Sequence, residues 1–309
     1  MSPVESAAAV LGDVAHRDVL LGARTTYRAG GRAALLFEAT SEGDLARAAE
    51  AVAVSKVPVL VVGRGSNLLI SDRGFAGLAL VLGDAFAEME ISGTYVRAGG
   101  RLSLPVLARR TAAAGLRGLE WAVGVPGSVG GAVRMNAGGH GSETAATIVG
   151  ARILDLTAGA SGAARDVDVG ELGLGYRRSD LSPGQVVLAA DFELRTGSAE
   201  EAEREIDDVV QWRRRHQPGG ANAGSVFANP PGDSAGRLIE AAGLKGRRRG
   251  SASVSTKHAN FFQCDEGGSA EDVFDLINEV RTVVEDRFGV RLETEVQLVG
   301  FKLSTIEVK

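Results

Sequence analysis

WAVGVPGSVGGAVRMNAGGHG, residues 121–141, is the stretch on which the reading of this chain turns. It holds seven glycines, Gly124, Gly127, Gly130, Gly131, Gly138, Gly139 and Gly141. Its pattern follows neither the helical period nor the two-residue period of a strand. Glycine is dense where backbone needs positive φ or must come very close to something. Two glycine turns flank the short apolar segment Ala132–Met135 and lead to Asn136. Such a backbone offers N–H groups and few obstructing side chains, which suits flat rings and phosphates. A flexible surface loop is the plainer reading, but a solvated loop rarely carries so much Trp, Val and Met.

The chain has 309 residues, enough for two or three domains. A hydrophobic share of 44% with 24% charged residues is that of an ordinary soluble globular protein. Glycine, at 42 residues, is about twice its usual share. The net charge of −5 argues against a general nucleic-acid binder. One cysteine, Cys264, excludes an internal disulfide and a multi-cysteine metal site, so no metal is expected. The N-terminus lacks a basic region followed by an apolar core, and no run of 18 apolar residues occurs. A cytoplasmic protein that neither crosses a membrane nor binds nucleic acid is expected, and a monomer.

Residues 1–20 read as a partly ordered lead-in. Ala33–Phe37 reads as a strand, and residues 41–54 as a helix with Ser41 as N-cap and Asp44 in the capping-box position. Val57–Val62 is a β-branched run of the kind found in buried strands, and ends in Gly63-Arg64-Gly65-Ser66-Asn67 before the strand-like Leu68–Ile70. The dinucleotide fingerprint would need glycine at position 68, where Leu68 stands, and no Gly-Lys-Ser/Thr follows. The turn is either an anion cradle, with the Ser66 hydroxyl and the amides of Gly65–Asn67 as donors, or an ordinary turn.

Residues 75–102 read as short strands with tight turns, and Ser103–Ala114 as a helix with Pro105 in its first turn and Gly115 at its end. Strands are expected at Thr147–Leu156 and Gln185–Leu194. Between them a glycine-rich connection presents Tyr176, Arg177 and Arg178, either as a solvated face or as a planar fork for a carboxylate. A boundary is expected near Thr196–Ser198, followed by a helix to Arg215 whose basic end suits a helix C-terminus or an anion. Gly224-Ser225-Val226 is not a GxSxG elbow, but a serine can also serve as a proton donor. Ala235–Ala242 and Ser269–Phe288 read as helices. Val273, Leu276, Ile277, Val280 and Val284 form the core face of the second. In the last expected strand, Val290–Val299, Glu293 and Glu295 fall on one face, as a solvated edge or with one carboxylate at the floor of a cleft.

Several strings resemble one family together. They are Thr26–Gly31 (TYRAGG), Gly63–Ser71 (GRGSNLLIS), Gly118–Gly141, Tyr176-Arg177, Ala223–Pro230 (AGSVFANP), Leu238–Gly246 (LIEAAGLKG), Val254–Phe261 (VSTKHANF) and Leu292–Val296 (LETEV). In this order they resemble the UDP-N-acetylenolpyruvoylglucosamine reductases, the MurB flavoenzymes of peptidoglycan synthesis, and span nearly the whole chain. The absence of one inserted loop resembles the loop-less second subtype.

The resemblance implies an α+β protein. A FAD-binding domain of the vanillyl-alcohol-oxidase (PCMH) type would fill residues 1–75 and 76–197 as two α/β subdomains, followed by a substrate-binding domain over 198–309. It implies noncovalent FAD, with its pyrophosphate on Gly63, Arg64, Gly65, Ser66, Asn67 and Leu68. The ring would lie against Gly124, Pro126, Gly127, Ser128, Gly130, Gly131, Asn136 and Gly138. NADPH would reduce the flavin, and UDP-N-acetylglucosamine-enolpyruvate would be the second substrate. Arg177 would bind the substrate carboxylate, Ser225 would protonate the α-carbon, and Glu295 would complete the catalytic set. Tyr176, Asn229, Lys245 and His258 would contact substrate. The chain departs from the family pattern with Ala228 where lysine is common and His140 where tyrosine is common. His216 would take over a phosphate contact from lysine. Two other classes remain open on the residues: a flavin-dependent alcohol oxidase of the same superfamily, with His140 as a possible covalent tether, and a non-catalytic nucleotide-sugar or flavin binding module.

Overall fold

The computed structural model describes residues 1–301; residues 302–309, the end of the expected substrate-binding domain, lie outside the described residues. The chain divides into two compact units, each drawn from several segments. Unit 1 takes Met1–Arg17, Leu35–Gly65 and Gly77–Gln217; unit 2 takes Asp18–Ala34, Ser66–Ala76 and the described residues from Pro218 onward.

Unit 1 contains two apolar clusters. The first forms around helices α1 (Pro3–Leu11) and α2 (Glu42–Ser55) and a sheet in which Val59–Val61 runs parallel to Phe75–Leu82, Val59 facing Leu78. The lead-in is therefore ordered, contrary to the sequence expectation. Ser2 accepts the Glu5 N–H at 3.2 Å, proline sits in the first turn, and Ala7 and Leu11 are buried in the same cluster as Leu45 and Ala48. A short alanine-rich segment has little periodicity to announce this; tertiary burial stabilises the helix. Helix α2 starts as expected, with the Ser41 hydroxyl accepting from Asp44 N–H at 3.2 Å. Of the apolar run 57–62, Val59–Val61 is the regular strand, flanked by bonds from Leu78 N–H to the Pro58 carbonyl and from Val62 N–H to the Leu80 carbonyl, both 2.8 Å.

The second cluster lies under a five-stranded antiparallel sheet in the order 165–168, 148–155, 185–193, 95–99, 89–92. Helices α3 (Leu104–Ala113), α4 (Val129–Met135) and α5 (Ala199–His216) supply its other walls. Ser103 stands at the N-cap of α3 without a side-chain cap bond, whereas Ser198 caps α5 by accepting from Glu201 N–H at 3.3 Å. Helix α4 is a correction to the reading of residues 121–141 as non-helical. Its first turn contains Gly130 and Gly131, which lower helix propensity and mask the pattern. Burial of Val129, Ala132 and Val133 and the Ser128 cap hold it helical.

Unit 2 has one apolar cluster. Helix α6 (Ala235–Ala241), helix α7 (Ala270–Phe288) and a three-stranded sheet of 248–249, 252–254 and 262–264 enclose it. On α7 the expected face is fully buried: Val273, Leu276, Ile277, Val280 and Val284 are each 0% exposed. The last strand is shorter than expected. Only Gln297–Val299 is regular, parallel to Leu68–Ile70, and residues 291–296 run irregularly up to a bend at Val296.

The N-terminus of α7 is held by an acid pair. The Asp72 carboxylate accepts the Ser269 hydroxyl at 2.6 Å and the Ala270 N–H at 3.0 Å, while Glu271 accepts the Ser71 hydroxyl at 2.6 Å and the Asp72 N–H at 2.7 Å. Burial opposes ionisation of Asp72, but the Glu271 carboxyl, the Ser269 hydroxyl and the helix amides outweigh it and hold its pKa low. Burial and the proton shared with Asp72 raise the pKa of Glu271. A depressed Asp72 supports the fold above the ordinary carboxylate range. A raised Glu271 supports it only until pH climbs through its elevated pKa, where the shared proton leaves. We expect Glu271→Gln, which retains a donor and an acceptor, to lessen the loss of stability as pH rises out of the ordinary carboxylate range. Chemical denaturation across that rise checks this; an unchanged pH dependence contradicts it.

Candidate active site

In unit 1 the two glycine-rich turns meet. A Cβ built on Gly63 would lie 2.7 Å from the Ser128 Oγ. That hydroxyl is committed to the α4 cap, accepting from Gly131 N–H at 3.3 Å. The next amides of the helix start are also engaged: Val129 N–H donates to the Leu102 carbonyl at 2.9 Å and Gly130 N–H to Gly100 at 2.8 Å. Gly130 and Gly131 therefore contribute the absence of side chains more than free donors. Gly124 lets Val209 and His140 approach, at 3.1 and 3.2 Å from a hypothetical Cβ, while Gly139 and Gly141 face open space.

The turn carrying Arg177 is stitched to this stretch within the same unit. Asn136, fully buried at φ +39°, donates from Nδ2 to the Gly175 carbonyl at 3.0 Å and accepts the Ala145 N–H at 2.9 Å. Arg177, also at positive φ, donates to the Gly138 carbonyl at 3.0 Å, and its guanidinium lies 5.2 Å from the Tyr176 ring centre. Arg134, which sequence reasoning did not single out, donates to the Ser182 carbonyl at 2.8 Å, and burial lowers its pKa. Nothing in its spacing marked it; only the fold reveals a half-buried guanidinium at the end of α4.

His140 packs edge-on against Trp212 at 5.0 Å, and Trp212 stacks on His216 at 4.6 Å. His216 Nδ1 sits 2.8 Å from the Trp212 carbonyl, which makes it the protonated nitrogen in the neutral ring. Burial, and then the Arg213 charge, lower the pKa of His140.

In unit 2 three strings of the sequence come together. Ser225 bridges to Phe261 and Phe227 to Thr294. Glu295 N–H donates to the Val226 carbonyl at 2.8 Å, and Ala228 N–H to Glu293 at 2.9 Å. Gly224, at φ +77°, donates its N–H to the Asn222 carboxamide at 3.0 Å and so sets the approach to Ser225. Ser225 and Glu295 thus stand on adjoining segments, both half-buried. Asn67 joins them: its Nδ2 donates to the Glu295 carbonyl at 3.1 Å, and its own carbonyl accepts the Gln297 N–H at 2.9 Å. Arg177 belongs to unit 1, Ser225 and Glu295 to unit 2.

The remaining expected substrate contacts have structural partners. The Asn229 carboxamide accepts the Ala235 N–H at 3.1 Å and starts α6. Lys245 pairs with Glu240 at 2.7 Å. His258 Nδ1 accepts the Asn260 N–H at 3.3 Å, which leaves the proton on Nε2. Burial, then Lys245, lower its pKa. Among the described residues no cluster of three or more His, Cys, Asp or Glu could hold a metal, and no helix is long and apolar enough to cross a membrane.

At residues 63 and 128 main chain from two distant parts of the sequence comes together, and the Ser128 side chain is what a Cβ on Gly63 would meet within 4 Å, its chain neighbours aside. Trp121 adds a buried indole N–H without a protein acceptor among the described residues.

Comparison with known proteins gives the same class. The FAD binding domain family matches residues 33–160, which with the helices and sheets above makes the chain an α+β protein with an FAD-binding domain. The C-terminal domain family of UDP-N-acetylenolpyruvoylglucosamine reductase matches residues 216–299. The UDP-N-acetylenolpyruvoylglucosamine reductase of Rubrobacter xylanophilus is 44% identical over 89% of this chain and 92% of its own length. Reductase 2 of Symbiobacterium thermophilum is 42% identical over 89% of each. The crystal structure of the Thermus caldophilus reductase (MurB) superposes with a TM-score of 0.80 at 36% identity, covering 92% of this chain and 98% of that one. The chain belongs to the UDP-N-acetylenolpyruvoylglucosamine reductase family.

Gly63→Ala should push Ser128 off its cap and weaken FAD retention. Adding Ser128→Ala should restore part of it, because only the Ser128 Cβ, 3.8 Å away, then faces the new methyl. Flavin content of the purified variants reads this; strictly additive losses contradict it.

Proposed function

We propose that the protein reduces the enolpyruvyl ether of UDP-N-acetylglucosamine-enolpyruvate to UDP-N-acetylmuramate, with NADPH as electron source, for peptidoglycan synthesis. It would act in the cytoplasm as a monomer of the loop-less subtype, without nucleic-acid or membrane partners. The division of labour is that of the sequence reading: FAD-binding subdomains over 1–75 and 76–197, a substrate-binding domain over 198–309. Two apolar clusters in unit 1 and one in unit 2 equal these three parts in number, with α5 packed in unit 1 and Tyr27, Ala29 and Leu69 packed in unit 2.

FAD, when bound, supplies the hydride capacity that links NADPH oxidation to substrate reduction. It would be held noncovalently, with the Gly63–Leu68 turn at its pyrophosphate. Gly124, Pro126, Gly127, Ser128, Gly130, Gly131, Asn136 and Gly138 would line its ring. Within unit 1, His140 is already packed against Trp212, which argues for a neighbour over a tether.

The residues of the chain handle charge and proton. A hydride equivalent added at the β-carbon of the enol ether leaves an electron pair on the α-carbon, delocalised onto the adjacent carboxylate. Arg177 would bind that carboxylate with a planar, permanently charged fork and favour the enolate over the ground state. Ser225 would deliver a proton to the α-carbon, completing addition of two hydrogens across the double bond; water reprotonates the serine. Glu295 would hold the enolic carboxyl group by a hydrogen bond. Tyr176, Asn229, Lys245 and His258 would contact substrate, His258 through its protonated Nε2.

The observation that carries the reading is the main-chain bond from Glu295 to Val226, which sets Ser225 and Glu295 on adjoining segments although 70 positions separate them. The test is Ser225→Ala in two half-reactions. NADPH should bleach the flavin at the wild-type rate, while reoxidation by enolpyruvyl substrate should slow by roughly 10² to 10⁴, the usual loss on removing a general acid. Normal reoxidation would remove Ser225 from the mechanism.

A further inference from the structure

We propose that Asn260 is the positioning residue that sets the Ser225 and Glu295 segments against each other, an inference that rests on the catalytic reading of those two residues. Asn260 is 3% exposed and lies in none of the roles assigned above. Its carboxamide grips both polar groups of one residue: Oδ1 accepts the Phe227 N–H at 3.0 Å and Nδ2 donates to the Phe227 carbonyl at 2.8 Å. Only one orientation of the amide satisfies both, so its direction is dictated by the backbone it meets. The Asn260 main-chain carbonyl also accepts the Val226 N–H at 2.8 Å.

These bonds act where regular structure is absent. Residues 225–228 form no named strand; isolated bridges to Phe261 and Thr294 replace a ladder. In such a segment each buried N–H and C=O still needs a partner. Asn260 supplies with its side chain the two bonds a neighbouring strand residue would have made. The Val226 carbonyl is then presented to the Glu295 N–H at 2.8 Å, and the Val226 N–H is fixed beside Ser225. Asn260 itself is braced, its N–H donating to His258 Nδ1 at 3.3 Å and the adjoining Phe261 N–H donating to the His258 carbonyl at 3.0 Å. The side chain of Asn260 therefore fixes the offset between proton donor and carboxylate without touching substrate.

Two substitutions separate positioning from folding. Asn260→Asp keeps the acceptor for Phe227 N–H but opposes a carboxylate oxygen to the Phe227 carbonyl; Asn260→Ala removes both bonds without that repulsion. In the FAD-loaded enzyme, bleaching by NADPH should change by less than about twofold in both variants. Reoxidation by enolpyruvyl substrate should slow by about 10²-fold, the cost of a catalytic group displaced by about 1 Å. The solvent isotope effect on reoxidation should rise as proton delivery becomes limiting. Equal slowing of both half-reactions, or no slowing of either, overturns the proposal.

Ser225→Ala in the same assay separates this from the underlying reading. Intact reoxidation in Ser225→Ala overturns both, whereas a blocked Ser225→Ala beside unaffected Asn260 variants overturns the positioning role alone. Should neither Asn260 variant fold, amide exchange in the wild-type holoenzyme decides. The Phe227 amide should exchange as slowly as those of the α7 core, and exchange at the rate of solvent-exposed amides overturns the proposal.

Discussion

The main-chain bond from Glu295 N–H to the Val226 carbonyl, 2.8 Å long, is the contact on which the C-terminal part of the account depends. No regular sheet surrounds it. Three irregular segments, 225–228, 258–261 and 293–296, are held by single backbone bonds and by the Asn260 carboxamide, and Asn67 fixes the far side of Glu295. A regular ladder would force alternate side chains to opposite faces. An irregular one lets a serine and a carboxylate be placed by individual bonds, at the cost of requiring a partner for every buried polar group.

The N-terminal part rests on a different constraint, the close approach of main chain to main chain. The glycines of residues 121–141 read as a ligand-binding surface, and several prove necessary for packing of the protein on itself. Gly63 abuts Ser128, Gly124 abuts His140 and Val209, and Gly138 abuts Glu143. Asn136 does comparable work with its side chain, tying the end of α4 to the Arg177 turn. Glycine density thus reports how tightly these turns nest, and the open positions at Gly139 and Gly141 are the exceptions.

Much of the fold was legible in the sequence where local rules act alone. Ser41 caps α2 as its spacing to Asp44 predicts, Ser198 and Ser269 cap α5 and α7 in the same way, and the apolar face of α7 is the buried one. The misses are places where distant contacts decide. Helix α1 and helix α4 are too short, and α4 too glycine-rich, for periodicity to register, so burial against residues far along the chain makes them. The strand at 290–299 shortens where its first half meets the Ser225 segment through one isolated bridge, Phe227 to Thr294, and two flanking backbone bonds. Among the residues of the proposed chemistry, motif strings marked Ser225, Glu295 and Arg177. Asn260 and Arg134 left no such mark, because a carboxamide that replaces a strand and a guanidinium buried at a helix end have no spacing rule.

The central claim is that this chain carries electrons from NADPH to an enolpyruvyl ether through one bound flavin. The direct measurement is an anaerobic absorbance titration of the purified holoenzyme. The account predicts that a stoichiometric addition of NADPH bleaches the flavin band, that UDP-N-acetylglucosamine-enolpyruvate then restores it, and that UDP-N-acetylmuramate appears in equal amount. A flavin that NADPH bleaches but the enolpyruvyl substrate leaves bleached would contradict it.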